Sequence, residues 1–338
     1  MKTFGKIVLW LLAALVVLLV IGWFALQRPD TPYATLEAKY ANAESEFMDL
    51  PNGVRAHYRD EGNPNGPVLV MVHGFSASLH TWEPWVERLG ADYRIISLDL
   101  PGHGLTRAPE GFSPTMAGAG FTGHVDAVTQ RLGVDRFTLI GNSMGGGVSW
   151  VYALEHPEKL EGLVLVDSAG WPEGAEQEDE PMVFKVLANP VGRALIGKID
   201  STSMVRGGLR AAFEPTPDMA NEAMVQRYVQ MARAPGHRDV ILALMTGYAG
   251  RPTATKEKLA AIKVPTLIMH GDTDKLIPVG DARKFADAIP GSTLIVYPQT
   301  GHVPMEQIAD KSAADLREWL RTKVHAAPAP VAATASSG

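Results

Sequence analysis

The longest apolar run in the chain, Ile7 to Leu26, contains no charged residue. At 1.5 Å per residue, about twenty such residues span the roughly 30 Å hydrocarbon core of a bilayer, which predicts a transmembrane helix. Downstream the pattern shortens. Apolar runs at 68–72, 94–98, 137–140, 163–167, 265–270 and 293–297 alternate with helix-compatible stretches at about 121–132, 144–156, 279–288 and 306–323. Short runs that are apolar throughout suit strands buried on both faces. Their alternation with helices predicts an α/β fold, a mostly parallel central sheet with helices on both faces. Glu46 to Leu50 and Val54 to Tyr58 flank Pro51-Asn52-Gly53 and predict a hairpin added at the sheet edge.

Between residues 171 and 252 the alternation fails. An acidic stretch, Glu173 to Glu180, leads into Met- and Ala-rich helical pieces broken by Pro190, Gly207-Gly208, Pro215, Pro217 and Pro235. Met182, Phe184, Leu187, Met204, Phe213, Met224, Met231 and Leu244 in this insertion either line a pocket or pack it onto the sheet. The chain divides into an anchor (1–27), a polar tether (28–45) containing Pro29 and Pro32, and a core in two parts (46–170 and 253–323). The helical insertion (171–252) separates those parts, and a low-complexity tail (324–338) is expected to be disordered.

The flanks of the apolar run orient it. Lys2 and Lys6 precede it, and Trp10 and Trp23 lie near its ends, where indoles favour the membrane interface. The positive-inside rule then places the N-terminus in the cytoplasm and the folded domain outside it, in the periplasm of a bacterial cell. A cleaved signal peptide is the competing reading. Its apolar region is usually shorter and ends in a small-x-small site, which Ala25-Leu26-Gln27 matches poorly. The formal charge of -6 offers no basic surface for nucleic acid. Cysteine is absent, so neither disulfides nor thiol chemistry enter, and no Cys/His set has zinc-like spacing.

Candidate chemistry begins at Gly141-Asn142-Ser143-Met144-Gly145, a Gly-x-Ser-x-Gly motif directly after an apolar strand and before a helical stretch. That placement is the geometry of a nucleophile elbow, in which a strained turn holds the serine out beside a helix N-terminus. A serine hydroxyl needs a base, and the base needs an orienting acid. In strand–turn–helix hydrolases both follow the serine in the order acid, then histidine. His302 sits on a Gly-containing loop past the strand at 293–297. Asp272 and Asp274 follow the strand at 265–270, and the more distal Asp274 is preferred. His73-Gly74-Phe75 follows another strand, so the backbone amides of Phe75 and Met144 are candidate oxyanion donors. His270 reads as packed or capping, and Asp99 and His103 as bonding within a turn.

His73-Gly74-Phe75, Asp99-Leu100-Pro101-Gly102-His103-Gly104, Gly141-Asn142-Ser143-Met144-Gly145-Gly146, Gly271-Asp272-Thr273-Asp274 and Gly301-His302 together resemble the successive landmarks of the α/β-hydrolase family. The similarity covers roughly residues 46–322, and the order and spacing of the motifs match the branch that contains esterases, C–C bond hydrolases, epoxide hydrolases and haloalkane dehalogenases. The resemblance implies Ser143 as nucleophile, Asp274 as acid and His302 as base, with the insertion as a helical cap over the site. Dehalogenases and epoxide hydrolases generally carry Asp at the elbow, so Ser143 implies acyl transfer.

The reading is therefore a membrane-anchored serine hydrolase acting on a small-molecule carboxylic ester, a hydrophobic one, with no metal or organic cofactor. Lactone, C–C bond and perhydrolase chemistry use the same triad. A ligand-binding sensor built on a hydrolase scaffold is the non-enzymatic alternative.

Overall fold

Each short apolar run becomes a strand. In the computed structural model, which describes residues 2–172, 186, 189, 191–192, 197–246 and 252–325, eight strands join in one sheet of order β1-β2-β4-β3-β5-β6-β7-β8. They are β1 (Ser45–Asp49), β2 (Arg55–Gly62), β3 (Val68–Val72), β4 (Arg94–Leu98), β5 (Phe137–Asn142), β6 (Leu160–Val166), β7 (Thr266–Gly271) and β8 (Thr293–Tyr297). The expected hairpin is the antiparallel β1–β2 pair at one edge, β2 runs antiparallel to β4, and every later pairing is parallel.

Strand alternation feeds two cores. In β3, Val70 and Val72 face one cluster with Ile96, Leu139 and Leu165, while Leu69 and Met71 face the other with Ile95, Ile140 and Val164. Successive side chains point to opposite faces, so an all-apolar strand fills both. Helices cover them: α1 (Lys2–Leu26) stands apart, followed by α2 (Tyr33–Tyr40), α3 (Glu83–Leu89), α4 (Phe121–Arg131) and α5 (Met144–Glu155). Between β6 and β7 come α6 (Thr202–Ala212), α7 (Glu222–Ala232) and α8 (His237–Thr246), and after β7 come α9 (Val279–Ala288) and α10 (Ala309–Trp319).

Two helices were not legible as such. α3 is seven residues long, starts at Glu83-Pro84, and buries only Trp85 and Leu89. α2 lies inside the segment read as a polar tether, yet Leu36 is 1% exposed and packs with Leu105, Met231 and Ala234. That segment is thus partly a docked helix. The acidic stretch 173–180, Met182, Phe184, Leu187 and the tail 326–338 lie outside the described residues.

Within α1, Phe4–Leu26 is long and apolar enough to cross a membrane, and none of it is buried against the rest of the chain. Its exit is tied to the segment preceding α6. The Leu26 carbonyl accepts from the Asp200 amide (3.0 Å), the Arg28 amide donates to the Lys198 carbonyl (2.8 Å), and Arg28 Nε pairs with Asp200 Oδ2 (2.9 Å). Arg233 donates to the Pro29 carbonyl from α7's end (2.9 Å).

Candidate active site

β5 ends on Asn142 and α5 begins on Met144, leaving Ser143 alone at the turn with φ 54° and ψ −119°. A residue carrying a Cβ is strained there. Backbone bonds hold it: the Ser143 amide donates to the Val166 carbonyl (3.0 Å), and its carbonyl accepts from Gly147 (3.1 Å) and Ala169 (3.0 Å). The flanking glycines are needed for space, since a Cβ on Gly141 would strike the Gly145 carbonyl and one on Gly145 the Val72 carbonyl. Ser143 thus caps the N-terminus of α5, where free amides favour negative charge, and Met144 supplies the first of them.

His302 lies on the loop past β8, with its amide on the Ala212 carbonyl at the end of α6 (2.8 Å). Its Nδ1 is 2.7 Å from Asp274 Oδ2, and both side chains are buried. Asp274 Oδ1 accepts from the amides of Leu276 (2.7 Å) and Ile277 (3.1 Å). Burial opposes ionisation of Asp274, but the charge and hydrogen bond of His302, with those two amides, outweigh it and hold the carboxyl below its usual range. An ionised acid at Nδ1 keeps that nitrogen protonated and leaves Nε2 free as a base. Asp272 is exposed, and among the described residues nothing joins its side chain to His302.

The His73-Gly74-Phe75 turn is fixed by its own histidine. His73 Nδ1 donates to the Gly74 carbonyl (2.7 Å) while Nε2 accepts the Leu100 amide (3.0 Å). Burial lowers the ring's pKa against the pull of Asp99, which keeps it neutral. In a trans peptide the carbonyl and the next N–H point in opposite directions. Holding the Gly74 carbonyl toward the ring therefore turns the Phe75 amide away from it. Gly74 itself abuts Ser143, where an added Cβ would come within 3.1 Å of the serine Cβ.

Asp99 reaches further than its own turn. It accepts from the Leu105 amide (2.8 Å) as expected of a loop residue, but also from the Leu79 amide (2.8 Å) and His57 Nδ1 (2.7 Å). It thereby joins β2, β4 and the turn before α3. His103 does stay within the turn, its Nδ1 3.3 Å from the Pro101 carbonyl, and His270 is buried with Nε2 on the Ile277 carbonyl (3.0 Å).

Ser143 and His302 open into one cavity of about 710 Å³. Met204, Leu209 and Phe213 of α6 and its end, with Ile241, Leu242 and Met245 of α8, form apolar walls. It extends to Ile199–Ser201, beside the exit of α1. Of the pocket candidates in the insertion, Met204 and Phe213 line this cavity, while Met231 and Leu244 are buried in core clusters and Met224 packs against one.

A family model for the alpha/beta hydrolase fold matches residues 67–307. This chain is an α/β hydrolase. It is 28% identical over 252 residues to a pimeloyl-[acyl-carrier protein] methyl ester esterase of Nitrosomonas europaea, covering 72% of this chain and 92% of the esterase. It is 26% identical over 280 residues to a 2-hydroxy-6-oxo-2,4-heptadienoate hydrolase of Pseudomonas putida, covering 79% of this chain and 93% of the relative. Among solved structures, a thermophilic esterase from Thermogutta terrifontis superposes with TM-score 0.68 at 26% identity, covering 84% of this chain and all of the esterase (100%).

Two residues beside the candidate site of this α/β hydrolase escaped the sequence reading. Asn142 Nδ2 donates to the carbonyls of Val166 (3.2 Å) and His302 (3.0 Å), tying the elbow to the loop of the histidine. Its position inside the elbow motif was the available signal. Asp167, one residue past β6 with φ 44°, is buried beside Asp274, and only its place at a strand end hinted at it.

Proposed function

We propose that this hydrolase cleaves hydrophobic carboxylic esters through an acyl-enzyme on Ser143, held to a membrane by α1. The observation that carries the reading is the convergence of Ser143 and the Asp274-bound His302 on one apolar cavity. His302 Nε2 takes the proton from Ser143 as the hydroxyl attacks the ester carbonyl, and ionised Asp274 stabilises the imidazolium. The Phe75 and Met144 amides receive the oxyanion. His302 then protonates the departing alcohol, and water repeats the attack on the acyl-enzyme with His302 again as base.

The hydrogen bonds from residues 26–28 to residues 198–200 support retention of α1 rather than its removal as a signal. With the N-terminal lysines inside, the catalytic domain lies on the extracytoplasmic side. A second reading, C–C bond hydrolysis, is supported by the likeness to the dienoate hydrolase. The test is hydrolysis of p-nitrophenyl esters of increasing acyl length by the wild type and a Ser143→Ala variant. Turnover confined to the wild type and rising with chain length is expected. A folded Ser143→Ala protein that still hydrolyses these esters would sink the assignment; turnover of a ring-fission dienoate alone would favour the second reading.

A further inference from the structure

We propose that Tyr228 and Thr81, the latter held by Glu306, form a polar subsite in the cavity of His302 that binds a free hydroxyl on the departing alcohol, so that the preferred substrate is an ester of a polyol rather than of a simple alkanol. This rests on the ester-hydrolase reading. The cavity is apolar over most of its wall, which makes its few polar groups informative. Tyr228, on α7, lines it, and among the described residues the phenol O–H meets no acceptor, unlike the hydroxyls of Tyr33, Tyr40 and Tyr152. Thr81 lines it as well, and its Oγ1 donates to Glu306 Oε1 at 2.6 Å.

Three separate elements bring these groups together: the turn Leu79–Trp82 after the His73 loop, α7, and the turn Pro304–Gln307 that follows His302 directly. Burial pushes the Glu306 carboxyl up to about 7, with Thr81 and the Arg227 charge opposing, so at neutral pH it serves as acceptor or donor. The Tyr228 phenol sits close enough to feel that carboxyl's charge. A ligand hydroxyl accepts from the phenol and donates to Thr81 Oγ1, giving the phenol the acceptor it otherwise lacks.

Glu306, which holds Thr81, stands on the turn just past His302, and we assign the subsite to the alcohol half of the ester. His302 must hand its proton to the leaving oxygen, so groups flanking the histidine face the alcohol. The apolar wall of Ile241, Leu242 and Met245 on α8 is left for the acyl chain. A simple alkanol would leave the phenol without a partner, and sites built to bind a hydroxyl reject analogues lacking it.

The test compares kcat/KM of the full-length protein in detergent micelles on a monoacylglycerol and on the methyl ester of the same acyl chain. A preference for the monoacylglycerol of about tenfold or more is expected, falling about tenfold in Tyr228→Phe and also in Thr81→Val. Thermal melting of both variants separates lost recognition from lost folding. Hydrolysis of both esters with no preference, or a preference unmoved in well-folded variants, would overturn the subsite and leave the ester-hydrolase reading intact. Failure to hydrolyse either ester would overturn both.

Discussion

Asp167 and Asp274 bring two carboxyl groups together behind His302, one just past β6 and the other past β7. An oxygen of each and a ring nitrogen of His270 lie within 4.8 Å of one another. Asp274 is ionised through His302 and two amides. Asp167 is fully buried, accepts among the described residues only the Gly271 amide (2.9 Å), and is pushed well above its ordinary value by burial and then by the charge of Asp274. Two like charges so close do not both ionise, so the proton stays on Asp167.

This asymmetry gives opposite outcomes for the same substitution. Asp274→Asn removes the carboxylate bound to His302 Nδ1, the proposed triad acid, and should cost about 10⁴ in kcat, the order of such losses in serine triads. Asp167→Asn replaces one neutral group by another of like shape and should stay within about threefold of wild type. Steady-state hydrolysis of a p-nitrophenyl ester, with circular dichroism as the folding control, decides it. The reverse ranking would move the acid to Asp167.

His73 is expected to act through the backbone rather than on substrate. His73→Leu removes the donor that holds the Gly74 carbonyl and so frees the Phe75 amide to turn. Loss of an oxyanion donor costs about 10²–10³ in kcat, with KM little changed because the ground-state ester makes weaker use of it. A variant that melts normally yet keeps wild-type kcat would remove Phe75 from the oxyanion site.

Most of the sheet was legible because its central strands, β3 to β7, are buried on both faces. β3, β4 and β8 fall where the apolar runs fall, and β5 and β6 differ only at their ends. Ser143, Asp274 and His302 each stand just past a strand, where a motif read along the chain finds them. Asp167 and Asn142 were missed because their partners, Gly271, Asp274 and His302, lie about a hundred or more residues downstream, and no local pattern reports such contacts. α2 was missed for a related reason. Its single buried residue, Leu36, meets Leu105 and Met231, and without them the segment reads as polar linker.

Docking of α2 sets where the chain can be shortened. Leu36 is fully enclosed, Glu37 pairs with Arg107 (2.6 Å), and the Tyr33 hydroxyl lies 2.9 Å from His237 Nε2. Leu36→Ala should destabilise by about 2–5 kcal/mol, the range for truncating a buried leucine. A protein beginning at Arg28 keeps α2, and one beginning at Ser45 loses it. Thermal melting should place the second well below the first; equal midpoints would mean that α2 contributes nothing to the fold.

Acid sensitivity follows from the buried histidines. Burial lowers His80, His124 and His237 to about 4 and His103 to about 3, whereas in the unfolded chain each titrates near 6.5. Between pH 6.5 and about 4 the unfolded chain takes up protons that the folded one refuses, so stability falls as pH falls. Each ring contributes at most about 1.4 kcal/mol per pH unit within that window. Asp99 and Asp274, held low, keep their contribution until pH falls below the ordinary carboxylate range, so they do not enter. Glu61, Glu306 and Asp167, held high, act in the opposite sense, but they are three groups against six, since burial also lowers His73 and His270. The urea midpoint should therefore drop steadily from pH 7 to pH 5. A flat or rising midpoint would mean that water or a rearranged partner lets these rings protonate in the folded protein.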